Sequence, residues 1–360
     1  MDRRSLMRRA GLAGVLAAGA APAVHAQATV RWRLASSFPK SLDTLWGFSE
    51  TLSRKVSEMS GGKFQISAHP AGELMPAFGV VDAVQGGSIE LTHTAPYYFT
   101  GKNMAFALAS GIPFGFNARQ MSAWMIQGNG RKLMNEFFSA YNIISFDGSH
   151  TGTQMGGWYR KPIKSLEDLK GLKMRMGGGL VGEIMGKLGV VPQSIPAGEI
   201  YVSLEKGTLD AVEFIGPHDD LKLGFHKVAP YYYYPGCWEG DANGGVLVNT
   251  KAWAALPAEY KAMFETACGY ASKEGLAKYD GLNPIALKQL VAAKAQLQAF
   301  PRPVVEAAFK IAMDVYADLN AKNPEWRKIY ADMLAFQRDQ ILWFRFAESH
   351  YDQFMASRKL

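Results

Sequence analysis

Cysteine is nearly absent: the 360 residues hold two, Cys237 and Cys268. Two thiols cannot staple a small disulfide scaffold or supply a four-cysteine zinc site. They form either one bridge, in an exported protein, or two buried thiols. Long apolar runs are missing as well. Beyond the N-terminus no stretch reaches the ~18 residues of a spanning helix, and mean hydropathy is −0.08. No block of Lys and Arg marks a nucleic-acid surface. The G-x-S-x-G elbow and the H-E-x-x-H zinc helix do not occur. None of the seven histidines sits at metal-pair spacing. The glycine-rich run from Arg175 to Gly179 lacks the Lys-Ser/Thr ending of a phosphate loop and the full G-x-G-x-x-G of a dinucleotide fold. Its glycines let backbone approach a ligand closely, or open a helix whose N-terminus favours an anion. There is no internal repeat and no low-complexity stretch after the N-terminal segment.

What is present is a globular composition, 48% hydrophobic and 20% charged, in a chain long enough for two lobes. Residues 1–26 read as a signal peptide. Arg3, Arg4, Arg8 and Arg9 precede an apolar stretch from Ala10 to Ala21, and Val24-His25-Ala26 offers a cleavage site. The Arg3-Arg4 pair resembles a twin-arginine signal, which exports folded proteins. An ordinary secretion signal and an uncleaved anchor are the alternatives. This segment carries a net +3, so the formal charge of +7 falls to +4 in the remainder. A mild positive bias suits a small anionic ligand.

From Thr29 the pattern alternates as a strand, followed by a helix through Leu42, Leu45, Trp46, Leu52, Val56 and Met59 that Gly61-Gly62 stops. A strand over 63–69, a short helix at Val80, Val81 and Val84, and a strand over 88–95 follow. A second series begins near residue 150: a strand over 171–177, helices around Val181–Leu188 and Ala197–Lys206, and a buried strand over 209–216. The run from Gly244 reads as a strand returning to the first lobe. This is an α/β fold of the periplasmic-binding-protein type, two α/β lobes around a ligand cleft with a helical C-terminal region. Residues 27–150 with about 240–300 form lobe I. About 151–239 with part of 300–323 form lobe II, and 324–360 form a C-terminal helical element. Helices are expected over 257–298, 303–322 and 325–356. Residues 341–346 are apolar except for Arg345, wider than one core-facing stripe, so either the body of the monomer or a second subunit covers them. A homodimer through this helix is the favoured reading.

Arg175 ends the strand Leu172–Arg175. A strand-end arginine among apolar residues is part-buried and needs an anion, either a ligand carboxylate or a structural partner. Glu213 stands inside the apolar run Asp210–Gly216, where a buried carboxylate must be paired or metal-bound, unless the strand is an exposed edge. Tyr97 and Tyr98 follow a strand and can line a cleft, one facing a ligand and one the core if the segment is extended. Trp158 and Trp238 either wall the cleft or pack. Tyr231–Tyr234 reads as hinge or sheet packing.

The stretch Pro162–Gly177, "PIKSLEDLKGLKMRMG", resembles the signature of the extracytoplasmic solute receptors of tripartite ATP-independent periplasmic (TRAP) transporters. "AGELMPAFGVVDAVQGGSIELTHTAPYYFTGK", "GEIYVSLEKGTLDAVEFIGPHDD" and "YPGCWEGDANGGVLVN" support it in order and spacing. The similarity is to the branch that binds 2-oxo acids, lactate or related monocarboxylates. It implies a periplasmic receptor, not an enzyme, that closes on a small organic anion and delivers it to TRAP membrane permease subunits. It further implies that Arg175 holds the substrate carboxylate, that Glu213, Glu239, Gln154 and the backbone carbonyl of Phe214 hold a cation, and that Tyr98 rather than Tyr97 faces the ligand. Phe214 departs from the tryptophan frequent at that position in the family. Asp241 is a further acidic neighbour. Such a hard oxygen set points to sodium or calcium. Two glutamates and one substrate carboxylate then stand against Arg175 and the cation, close to neutrality, as a desolvated cleft requires. Two rival readings remain. One is a metal-independent organic-acid receptor that serves a transporter or a sensor. The other is a hydrolase using Glu213 and Glu239 as an acid/base pair.

Overall fold

The computed structural model describes residues 29–358, so the N-terminal segment read as a signal peptide lies outside the described residues. The elements in chain order are β1 (Val30–Ser36), α1 (Leu45–Met59), β2 (Phe64–His69), α2 (Val80–Gln85), β3 (Leu91–Thr94), α3 (Ala118–Ile126), α4 (Gly130–Ser139) and β4 (Ile143–His150). Next come β5 (Gly157–Tyr159), β6 (Lys173–Arg175), α5 (Gly179–Lys187), β7 (Val191–Gln193), α6 (Ala197–Glu205), β8 (Ala211–Val212), α7 (Pro217–Leu223) and β9 (Tyr231–Tyr234). The chain ends with β10 (Asn243–Asn249), α8 (Thr250–Ala255), α9 (Ala258–Ala292), β11 (Gln296–Ala299), α10 (Arg302–Lys322), α11 (Pro324–Phe344) and α12 (His350–Ala356).

Two sheets organise the molecule: five strands in the order β2-β1-β3-β10-β4 and six in the order β11-β9-β5-β8-β6-β7. Alternation in β1 buries Trp32 and Leu34 and exposes Arg31 and Arg33, which fixes its face against the core. There Phe64, Phe146, Val246, Val248 and Phe264 join them. Strand β10 inserts antiparallel between β3 and β4, pairing Val246 with both His93 and Phe146. The chain therefore re-enters the first sheet through β10 and returns to the second through β11.

Several elements differ from the sequence reading. The strand over 209–216 pairs only at Ala211 and Val212, so Glu213 follows the strand end and does not sit inside it. The run after Asn249 is helix α8, because the Asn249 side chain caps it by accepting from the Lys251 and Ala252 amides. The helix expected to reach 298 stops at Ala292, and Lys294 takes a left-handed φ of 71°. Gln296–Ala299 then pairs parallel with Tyr231–Tyr234. Tertiary pairing with the tyrosine strand overrides the helix propensity of an Ala/Lys/Gln-rich segment. The last helix breaks at a π-turn over Arg345–Ser349. Cys237 and Cys268 are free thiols. Cys268 is buried in the core of the first sheet, whereas Cys237 packs against that of the second.

Candidate functional site

A small cavity of about 20 Å³ lies between the two sheets, lined among others by Phe38, Leu45, Tyr97, Tyr98, Arg175 and Phe214. Its polar groups come from the ends of strands. Arg175 closes β6 and sits in register with Val212 of β8, so the arginine and Glu213 emerge side by side. Arg175 is 2% exposed. One guanidinium nitrogen donates to the Glu213 carbonyl at 2.7 Å and to its Oε2 at 3.2 Å. Nε donates to the Ile195 carbonyl. The guanidinium also lies 5.2 Å from the Phe214 ring centroid, a cation–π distance.

Glu213 Oε2 accepts in addition from the Gly177 amide at 2.8 Å. Glu239, on the loop after β9, accepts at Oε2 from Gln154 Nε2 at 2.7 Å and from the Tyr97 hydroxyl at 3.3 Å. Gln154 follows β4 and its amide also donates to Thr151. Each of these three residues keeps one oxygen without a protein partner: Gln154 Oε1, Glu213 Oε1 and Glu239 Oε1, all buried. The two carboxylates and the Tyr97 hydroxyl are close together. A Cβ built on Gly177 would lie 3.1 Å from Glu239 Oε1, 3.2 Å from the Tyr97 hydroxyl and 3.3 Å from Glu213 Oε2. Burial pushes both carboxyls well above the usual range, mutual repulsion adds to it at Glu239, and Arg175 pulls both back. Two buried glutamates against one arginine leave a site short of positive charge. Unpartnered carboxylate and amide oxygens are the donors a hard cation takes, so the residues present fit one.

The tyrosines depart from the expected arrangement. Pro96–Phe99 is a 3-10 turn, not extended chain, so Tyr97 and Tyr98 both line the cavity. Tyr97 reaches Glu239, and Tyr98 lines the cavity beside Arg175. Trp158 is a correction: it is fully buried outside the cavity wall. It stacks on Tyr232 at 3.8 Å and 11° and donates its indole N–H to Asp220. It is core because β5 is a central strand of its sheet. Trp238 likewise packs on Phe300. Asp241 spends both oxygens on structure, one on His150 Nδ1 at 2.5 Å and one on the Gly152 amide at 2.9 Å. Sequence reasoning missed Ser149, Thr151, Phe38 and Leu45 in the lining. The unread strand β4 ends beside Ser149 and Thr151, and reading it would have placed that pair at a strand end.

A second cluster, Asp43 with His218 and Asp219, brings possible metal donors within 4.8 Å of one another. Lys222 and Lys278 already bridge Asp43 and supply its positive charge.

Comparison with known proteins adds relatives to this geometry. The profile of bacterial extracellular solute-binding protein family 7 (DctP) matches residues 35–323. A monocarboxylate 2-oxoacid-binding periplasmic protein of Nostoc is 44% identical over 91% of this chain and 90% of its own. A TRAP transporter solute-binding protein of Bordetella bronchiseptica, a dimer with calcium and picolinate in one site, superposes with TM-score 0.90 and 48% identity, covering 92% of this chain and 98% of its own. A TRAP periplasmic solute-binding protein of Pseudoalteromonas atlantica, with bound sodium and pyruvate, gives TM-score 0.88 and 36% identity over 92% of this chain and 100% of its own.

Proposed function

The chain belongs to bacterial extracellular solute-binding protein family 7, a family of TRAP-transporter receptors and not of enzymes, and we propose that it captures a small 2-oxo or 2-hydroxy monocarboxylate. The observation that carries this reading is the trio of buried, unpartnered oxygens on Gln154, Glu213 and Glu239 beside Arg175. Arg175 is the group that grips the ligand carboxylate, since a planar guanidinium matches its two oxygens. Gln154, Glu213, Glu239 and the Phe214 carbonyl are the residues that would hold sodium or calcium. Bound there, the cation supplies the positive charge the site lacks and attracts the carboxylate and its neighbouring oxygen. Tyr97 and Tyr98 orient the donors, and Phe38, Leu45 and Phe214 exclude water. The relatives named for 2-oxo acids, pyruvate and picolinate support the substrate class.

The same reading includes the periplasm as the place of action, TRAP permease subunits as the recipients of the ligand, and a homodimer through the C-terminal helix. That helix leaves Trp343 63% and Phe346 69% exposed, apolar surface that a second copy would cover. Calorimetric titration with pyruvate, after exhaustive chelation and with calcium or sodium restored, tests the site. We expect affinity to depend on the restored ion. Equal binding with and without it would leave a metal-free organic-acid receptor, and no binding of any 2-oxo or 2-hydroxy acid would refute the substrate class.

A further inference from the structure

Resting on the closing-receptor reading, we propose that Gly178 and Gly179 are closure determinants: the two lobes meet there without side chains, and a Cβ would hold them apart. Neither glycine is needed for its backbone. Gly178 has φ −128° and ψ 157°, extended chain that any residue adopts. Gly179 opens α5 and is not among the positive-φ glycines. What they lack is room. A Cβ on Gly179 would stand 2.3 Å from the Thr100 Oγ1, and one on Gly178 would stand 3.1–3.3 Å from Cγ, Cδ2 and Cβ of Tyr97.

The obstruction is entirely across the cleft. Gly178 and Gly179 follow β6 of the six-stranded sheet, whereas Tyr97 and Thr100 follow β3 of the five-stranded one. Within its own lobe neither Cβ meets anything closer. The Tyr97 ring cannot swing away freely, because its hydroxyl is held at Glu239, and Thr100 is itself buried. Alanine is a better helix residue than glycine, so a substitution at 179 leaves the open lobe at least as stable. Its cost falls on the closed state alone. A receptor whose closed form is less populated binds more weakly by that factor, with every ligand contact intact.

The test is a double-mutant cycle read by calorimetry with pyruvate and calcium. Gly179→Ala is expected to raise Kd about tenfold or more. Thr100→Ala removes the obstructing oxygen and leaves its Cβ at 3.5 Å, so it is expected to be near neutral alone and to restore affinity in the double variant. Gly178→Val, facing the pinned tyrosine, is expected to lose more than Gly179→Ala. All ligand-free variants should melt within about 2 °C of wild type. An unchanged Kd in Gly179→Ala, a loss that persists beside Thr100→Ala, or a lowered ligand-free Tm overturns the proposal. If wild type binds no pyruvate, the substrate reading fails and closure is read without ligand. Asp43→Cys and Lys222→Cys replace side chains that pair between the segment before α1 and helix α7, and a short bis-maleimide, which alkylates both thiols, then traps closed molecules. The yield should fall with Gly179→Ala and recover with Thr100→Ala, and equal yields throughout would sink the inference.

Discussion

Arg175 is the residue on which the proposed ligand grip turns. It is buried, it donates to Glu213, and the Phe214 ring lies beside its guanidinium. Removing one partner of a buried charged pair costs about 2–5 kcal/mol, so Arg175→Ala should raise the Kd for pyruvate by roughly thirtyfold or more. Arg175→Lys keeps the charge but loses the fork and should recover only part of that. Full affinity in Arg175→Ala would remove the arginine from the site. A second prediction concerns stability. Burial pushes Asp220 up to about 7, although hydrogen bonds from Tyr232 and Trp158 act the other way. Its neighbour Asp219 rises to about 6. A carboxyl raised in the folded state holds a proton that the unfolded chain has lost. These two groups therefore favour folding below about pH 4, and that contribution disappears as pH climbs through 6 and 7. Asp220→Asn should flatten the fall of Tm between pH 4 and 7 relative to wild type. An unchanged slope in thermal melts would count against the raised pKa. At this scale Arg175 and Glu213 were legible from the sequence, because charge inside an apolar run demands a reason. Gln154 and Glu239 were legible only through the resemblance, since nothing local distinguishes a glutamine or glutamate in a loop.

At the level of elements, amphipathic period and glycine stops placed β1, α1, β2, α2 and β3. They are local signals, and α1 ends at the glycines that read as its stop. The errors fall where tertiary pairing decides. Gln296–Ala299 is a strand because Tyr231–Tyr234 offers it a partner. The tyrosines turn both rings to the cavity because Pro96–Phe99 coils into a 3-10 turn. The C-terminal element α11–α12 carries Ile341, Leu342, Trp343, Phe346, Tyr351 and Phe354 exposed. The described body of the chain does not cover them, which supports the proposed second copy as their covering. Trp343→Ser with Phe346→Ser should shift the protein from dimer to monomer by light scattering at micromolar concentration and leave pyruvate affinity within about threefold. A wild-type monomer at those concentrations would dispose of the helix as a dimer contact.

For the whole molecule, binding and folding share one free energy. Pyruvate at a hundredfold excess over Kd should add about 2.7 kcal/mol to the stability of the closed form, read as a rise of several degrees in Tm. The rise should shrink when a chelator removes the cation and should vanish in Arg175→Ala. A ligand-independent Tm would argue against capture by this cleft. The lobes meet along the glycines at 178–179, so the same melt separates a variant that cannot close from one that cannot fold.

The sequence by itself determined the α/β class, the strand-end arginine, the buried glutamate and, through its motifs, the receptor family. Those properties are carried by local pattern and by charge in apolar surroundings. The tertiary structure alone decided that Glu213 lies just beyond its strand, that three buried oxygens on Gln154, Glu213 and Glu239 are left unpartnered, that Trp158 is core, and that Gly178 and Gly179 press on the opposite lobe. Each of these depends on residues tens of positions apart meeting in space, and no local spacing encodes that distance.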